Sequence, residues 1–319
     1  MIVDALSNSR RRSRLMGLLL LLLFASGCSS DDAPAGDGGA PADSQSVDIL
    51  SAKDTTSADV EPQVDQKVDQ NVAVTPVFSD GFESGDLKAA SGGSWYNRTN
   101  AEVSKEMART GSHSLRFRYR GHATKDSTAE IRARVTKAAA EIWLEWYLLV
   151  PQNYAHRSTP APANNKFWIV GYDDKLHGGW QEPGGWTARM ELNPGQGSVV
   201  SKSRFVYGNE TSKASSENAA GTGPKVKQCE VIDGADRGSW VRFGVHFKVA
   251  SSISASDGEM HFYKNGKLLL SNEGFPWGGV SETTPVDCFE LLGWSNSGFA
   301  SDTVFYVDDV KLYTTDPGW

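Results

Sequence analysis

Along residues 112–120 apolar and polar side chains alternate. His113, Leu115, Phe117 and Tyr119 fall on one side, and Ser114, Arg116, Arg118 and Arg120 on the other. A period of two marks a strand with one face on a core and one toward water. The same alternation runs through 129–137, where Ile131, Ala133 and Val135 oppose Glu130, Arg132, Arg134 and Thr136. It is clearest at 240–249, with Val241, Phe243, Val245, Phe247 and Val249 opposite Arg242, His246 and Lys248. Segments 141–150, 166–170, 187–192, 198–207 and 302–313 read as further strands. Strands at 259–264 and 267–270 flank Asn265-Gly266, a pair that tolerates positive φ at both centres of a two-residue hairpin turn. Helical periodicity is nearly absent. The pattern predicts an all-β fold, a β-sandwich of two antiparallel sheets with long rim loops around 153–165, 171–185 and 208–238.

The N-terminal quarter has a different character. Arg10, Arg11, Arg12 and Arg14 precede an apolar run over 15–24, and the small residues Ala25-Ser26-Gly27 follow. A helix over 15–27 rises roughly 20 Å, short of the roughly 30 Å hydrocarbon core, so a signal peptide is expected rather than a membrane span. Ala-Ser-Gly followed by Cys28 resembles the lipobox of bacterial lipoproteins, although Ala25 stands where leucine is commonest. That resemblance implies a signal peptide over 1–27, acylation of Cys28, and contact with a membrane through the lipid anchor. Ser29 after the cysteine resembles the outer-membrane, cell-surface pattern. Residues 29–74 hold no aromatic side chain, and their acids, from Asp31 to Asp69, outnumber Lys53 and Lys67. Such a segment cannot offset the entropy of ordering, so 28–74 reads as a disordered acidic tether spanning on the order of 40 Å.

Residues 75–319 are left for one folded domain. The formal net charge of −7 owes much to the tether, and nothing in the remainder reads as a nucleic-acid-binding patch. Two cysteines follow Cys28. Export makes a disulfide between Cys229 and Cys288 the expectation, with two buried thiols as the alternative.

The runs Phe78-Ser79-Asp80-Gly81-Phe82-Glu83-Ser84-Gly85-Asp86-Leu87 and Thr110-Gly111-Ser112-His113-Ser114-Leu115-Arg116 resemble the opening of extracellular jelly-roll domains. Trp240-Val241-Arg242-Phe243, Asp257-Gly258-Glu259-Met260-His261-Phe262-Tyr263-Lys264-Asn265-Gly266 and Phe305-Tyr306-Val307-Asp308-Asp309-Val310 resemble its second half. Together they resemble the concanavalin A-like lectin/glucanase superfamily, especially its polysaccharide-lyase and laminin-G-like branches. The resemblance implies a jelly roll over 75–319.

Four chemistries follow. Asp80 and Glu83 near the first strand, with Asp308 and Asp309 on the last, could share a structural Ca²⁺ if the terminal strands pair, as the resemblance implies. β-Elimination on a uronic-acid glycan needs a group to neutralise the carboxylate, a base and an acid. Glu130-Ile131-Arg132 resembles part of the Arg-Ser/Thr-Glu-Leu-Arg strand of jelly-roll alginate lyases, whereas Phe167-Trp168-Ile169-Val170 lacks their Gln-x-His pair. For a lyase the resemblance assigns Arg132 to the carboxylate, His246 or His261 as base and Tyr263 as acid. A retaining glycosidase is less supported, because Glu141 and Glu145 flank Trp143 where an aspartate belongs. Carbohydrate binding asks only for aromatic platforms and a few polar groups, offered by Tyr172, Trp180, Gln181, Trp186, Trp277 and Trp294. The sequence thus points first to a surface-anchored polysaccharide-binding lipoprotein. Its alternatives are a polysaccharide lyase and a non-catalytic adhesin contacting protein.

Overall fold

A computed structural model describes residues 74–157, 164–173, 185–195, 197–209, 213–215, 227–279, 283–296 and 298–319. Residues 1–73, which include Cys28, the expected signal peptide and all but the last residue of the expected tether, lie outside the described residues. One sheet is built from Phe78–Asp80 (β1), Ala101–Ser104 (β3), Ser114–Tyr119 (β4), Glu141–Leu149 (β6), Trp240–Lys248 (β12), Gly258–Lys264 (β13), Lys267–Phe275 (β14) and Thr303–Tyr313 (β16). Its order is β14-β13-β12-β6-β16-β4-β3, with β1 also against β16. The second sheet comprises Gly93–Thr99 (β2), Ser127–Ala139 (β5), Asn165–Gly171 (β7), Trp186–Gly195 (β8), Gly197–Asn209 (β9), Lys213–Ser215 (β10), Glu230–Ile232 (β11) and Val286–Ser295 (β15). Its order is β10-β9-β8-β7-β15-β5-β2, with β11 against β9. The strand pairs are antiparallel, giving the all-β two-sheet sandwich that the alternation implies.

The core lies between the sheets, where the alternation points it. Val241, Phe243, Val245 and Phe247 of β12 are buried, and Phe243 meets Phe167 of the opposite sheet edge-to-face at 5.0 Å. Each such side chain removed from water contributes roughly 1.5–3 kcal/mol. The hairpin forms where Asn265-Gly266 places it, with φ of 52° and 76°. The first and last strands pair, Phe78 opposite Leu312 and Asp80 opposite Val310.

The expected disulfide does not form. Cys229 packs on the inner core before β11, whereas Cys288 of β15 is buried on the other side of its sheet against Ile169. β9, β8 and β7 stand between β11 and β15. At about 4.8 Å per strand spacing their Cα atoms lie well beyond the roughly 7 Å a disulfide can bridge.

One irregularity shapes the second sheet. In β15 Leu292 takes φ 58° and Gly293 φ 142°, and the pairing with β7 shifts register there. The Tyr119 hydroxyl, reaching across from β4, accepts from Gly293 N at 3.1 Å and lies 2.9 Å from the Ala129 carbonyl. A bulge of this kind re-aims neighbouring side chains.

Candidate active site

β5 buries Ala129, Ile131, Ala133 and Val135, so Glu130, Arg132 and Arg134 project from the outer face of the second sheet. Opposed residues of an antiparallel pair share a face. Register therefore sets Arg132 beside Tyr96 of β2 and Glu290 of β15, with Glu290 beside Ile169 of β7. Ile169 faces Arg189 of β8, and Lys166 faces Glu191.

These side chains form a continuous charged cluster. Arg132 Nε donates to Glu290 Oε2 at 3.1 Å, and Arg132 Nη2 lies 3.6 Å from Glu130 Oε1. Arg189 Nε donates to Glu191 Oε1 at 2.8 Å. Arg204 Nη1 of β9 and Asn164 Nδ2 donate to Glu191 Oε2 at 3.2 and 2.7 Å. The Glu290 and Glu191 side chains are almost wholly buried, at 0% and 3% exposure. A Cβ on Gly293 would stand 2.7 Å from Glu290 Oε1 and 3.0 Å from Lys166 Cβ, so the glycine lets lysine and glutamate close in across the bulge. Burial holds the Lys166 amine below the usual lysine range. Arg189 adds to this, while Glu290, Glu130 and Glu191 pull the other way. Charges buried on the outside of a sheet cost stability, and perturbed groups gathered at one place mark functional sites.

A family model described as polysaccharide lyase matches residues 82–311, most of the chain. The chain belongs to the polysaccharide lyase family. Among curated proteins nothing matches. Among solved structures it is similar to an endo-β-1,4-glucuronan lyase from the fungus Trichoderma reesei. The identity is 14% and the TM-score 0.51, covering 76% of this chain and 96% of that one. It is also similar to an alginate lyase from a Chlorella virus, at 13% identity and TM-score 0.49, covering 70% and 93%. At these identities the likeness is one of fold, the jelly roll.

Within this member of the polysaccharide lyase family the four residues expected to act together are divided. Arg132 stands on the outer face of the second sheet. His246, His261 and Tyr263 alternate with the buried Val245, Phe247, Met260 and Phe262, so they stand on the outer face of the first. Packed sheets lie about 10 Å apart, which keeps the two sets from one sugar ring. Glu141 and Glu145 also lie on the first sheet and are held separately, by His246 and by Arg242.

The aromatic platform is smaller than expected. Trp186 is buried, stacks on Phe247 at 5.5 Å and donates to Thr284 Oγ1 at 2.8 Å. Trp277 is buried and stacks on Phe275 at 4.4 Å. Tyr172 is half-buried against the core. Trp180 and Gln181 lie outside the described residues. Trp294 is exposed, donates to Asp126 Oδ2 at 3.0 Å and pairs with Thr128, which puts it on the Arg132 face.

Each of the four acids expected to share a calcium ion accepts hydrogen bonds from N–H groups of the protein. Asp80 accepts from Phe82 N and Trp95 Nε1 at 2.6 and 2.7 Å. Glu83 accepts from Ser112 N and His113 N at 2.9 and 3.0 Å. Asp308, raised to about 6 by burial, accepts from Arg109 N at 2.8 Å, and Asp309 pairs with Arg109 Nη1 at 2.6 Å. Glu83, Asp308 and Asp309 thereby secure the 109–113 turn. Gly111 there has φ 61°, and a Cβ on it would meet the Glu83 carboxyl carbon at 2.3 Å. Gly111→Ala is expected to lower stability by about 1–3 kcal/mol in urea unfolding, from left-handed strain and a displaced carboxylate. An unchanged midpoint would count against the clamp.

Sequence reasoning missed Tyr96, Lys166, Arg189, Glu191, Arg204 and Glu290. A signal existed in 187–192, where Arg189 and Glu191 alternate with the apolar Ala188, Met190 and Leu192. Lys166 sits one residue before the segment searched for a glutamine and a histidine.

Proposed function

We propose that this polysaccharide lyase cleaves a uronic-acid-containing glycan by β-elimination on the outer face of its second sheet. The observation that carries this is the amine of Lys166, held below its ordinary range among Arg132, Arg189 and buried carboxylates. Arg132 and Arg189 neutralise the uronate carboxylate, which acidifies the C5 proton. Neutral Lys166 takes that proton as general base. The electron pair forms the C4–C5 double bond as the C4–O4 bond breaks, and the departing oxygen takes a proton from Tyr96, the phenol beside Arg132 in register. Glu290 and Glu191 orient the guanidinium groups, and Trp294 supplies an aromatic surface farther along the same face. Family membership and this cluster support cleavage ahead of binding alone. The resemblance of Ala25-Ser26-Gly27-Cys28 to a lipobox supports display of the enzyme at the outer face of its membrane.

The test is an assay for unsaturated sugar ends, read by their ultraviolet absorbance, on glucuronan, alginate and acidic glycosaminoglycans. At least one polymer is expected to yield them, and Arg132→Ala is expected to abolish the signal. Retention of polymer by the protein without any such product would overturn the proposal in favour of binding.

A further inference from the structure

The outer face of the first sheet carries a second constellation that the elimination does not use. His246 of β12 and His261 of β13 are opposed in register, with their Nδ1 atoms 3.2 Å apart. The far nitrogen of each ring meets a carboxylate: His246 Nε2 lies 2.8 Å from Glu141 Oε1, and His261 Nε2 lies 3.2 Å from Glu273 Oε1. A carboxylate only accepts, so each Nε2 carries its proton and each Nδ1 turns a lone pair toward the other. Two lone pairs at that distance repel unless something positive sits between them. Glu259 completes the group, since one ligand atom from each of His246, Glu259 and His261 lies within 4.8 Å of the others.

We propose that His246 Nδ1, His261 Nδ1 and the Glu259 carboxylate form a binding site for a divalent cation of the zinc class. Two nitrogens at 2.0–2.1 Å from a tetrahedral ion stand roughly 3.3 Å apart, close to the observed separation. Imidazole and carboxylate together suit zinc and its late-transition neighbours rather than calcium, which favours oxygen alone. Glu141 and Glu273 act as positioning residues, fixing tautomer and ring orientation as carboxylates behind metal-bound histidines do. Trp143, stacked on His246 at 4.5 Å and 16°, holds that ring in plane. Lys248 Nζ lies 2.8 Å from Glu259 Oε1 and leans away as the carboxylate turns to the ion. The three ligands leave a fourth position for water. The site links β12 and β13 directly, and β6 and β14 through the outer carboxylates.

The experiment uses the full chain, stripped with a chelator and titrated with Zn²⁺ by calorimetry and with Co²⁺ by its visible spectrum. One equivalent per chain is expected, with a tetrahedral-type cobalt band and a rise in Tm as metal is added. The double variant His246→Gln/His261→Gln should lose the cobalt band. Glu141→Gln, at a half-exposed position that spares the fold, should weaken binding about 10–100-fold. If wild-type protein takes up no metal, a shared proton occupies the gap between the rings and the proposal fails. It fails equally if the double variant, folded by circular dichroism, binds as tightly as wild type.

Discussion

Lys166→Met, which keeps the apolar stem and removes the amine, is expected to lower kcat for polymer cleavage by about 10²–10⁴. The effect should be this large because no other amine faces the Arg132–Glu290 pair among the described residues. The stem packs beside Gly293, so the thioether can take its place with little rearrangement. KM should change much less, because the carboxylate contacts belong to the arginines. Lysine must be neutral to accept the C5 proton, so the wild-type rate should climb as pH rises through its depressed pKa. The wild-type limb should then appear below the pH at which an ordinary lysine titrates. Initial rates across pH for both proteins check this. A Lys166→Met enzyme with wild-type kcat, or a rate with no dependence on an amine titration, would remove lysine from the mechanism.

Acidification from about pH 6.5 to pH 4 is expected to destabilise the fold through one buried histidine. His156 is 4% exposed, and its Nε2 lies 2.8 Å from Ser201 Oγ, which in turn lies 2.8 Å from the Tyr154 hydroxyl. Burial pushes its pKa down from 6.5 to about 4. Between those values the unfolded chain binds a proton that the folded chain refuses. Stability from this group is therefore fully present above pH 6.5 and drains away as pH falls toward 4. At about 1.4 kcal/mol per pH unit the loss approaches roughly 3 kcal/mol. The trio ties the segment after β6 to β9, so its failure would loosen the contact between the sheets. Urea unfolding at several pH values gives the slope. His156→Gln should be less stable at neutral pH and show a flatter slope below 6.5; equal slopes in the two proteins would acquit the histidine.

How much of this was legible varies by residue. The alternation in β12 and β5 announced which face each strand buries, and Asn265-Gly266 announced its hairpin, because each depends only on neighbours along the chain. β15 escaped notice. Its run Cys288-Phe289-Glu290-Leu291-Leu292 shows no clean alternation, because a central strand flanked on both sides and bulged at Leu292-Gly293 buries nearly every side chain. Glu290 shows no alternation signal, and with it goes the buried carboxylate that accepts from Arg132. Trp186 and Trp277 misled in the opposite direction. Glycine-rich surroundings suggest an exposed loop, while burial is settled by what arrives from elsewhere, here Phe247 against Trp186 and Phe205 against Trp277.

The sequence by itself determined the sandwich, its inward faces and the hairpin at Asn265-Gly266. Periodicity and turn chemistry are local, and a single chain carries them in full. Tertiary structure decided that Arg132 stands on one sheet with Lys166, Arg189 and Glu290, while His246, His261 and Tyr263 stand on the other. It likewise decided that Cys229 and Cys288 never meet. These outcomes rest on which sheet each strand joins and in what order. Strand order follows from the packing of side chains far apart along the chain, and no residue's own neighbours record it.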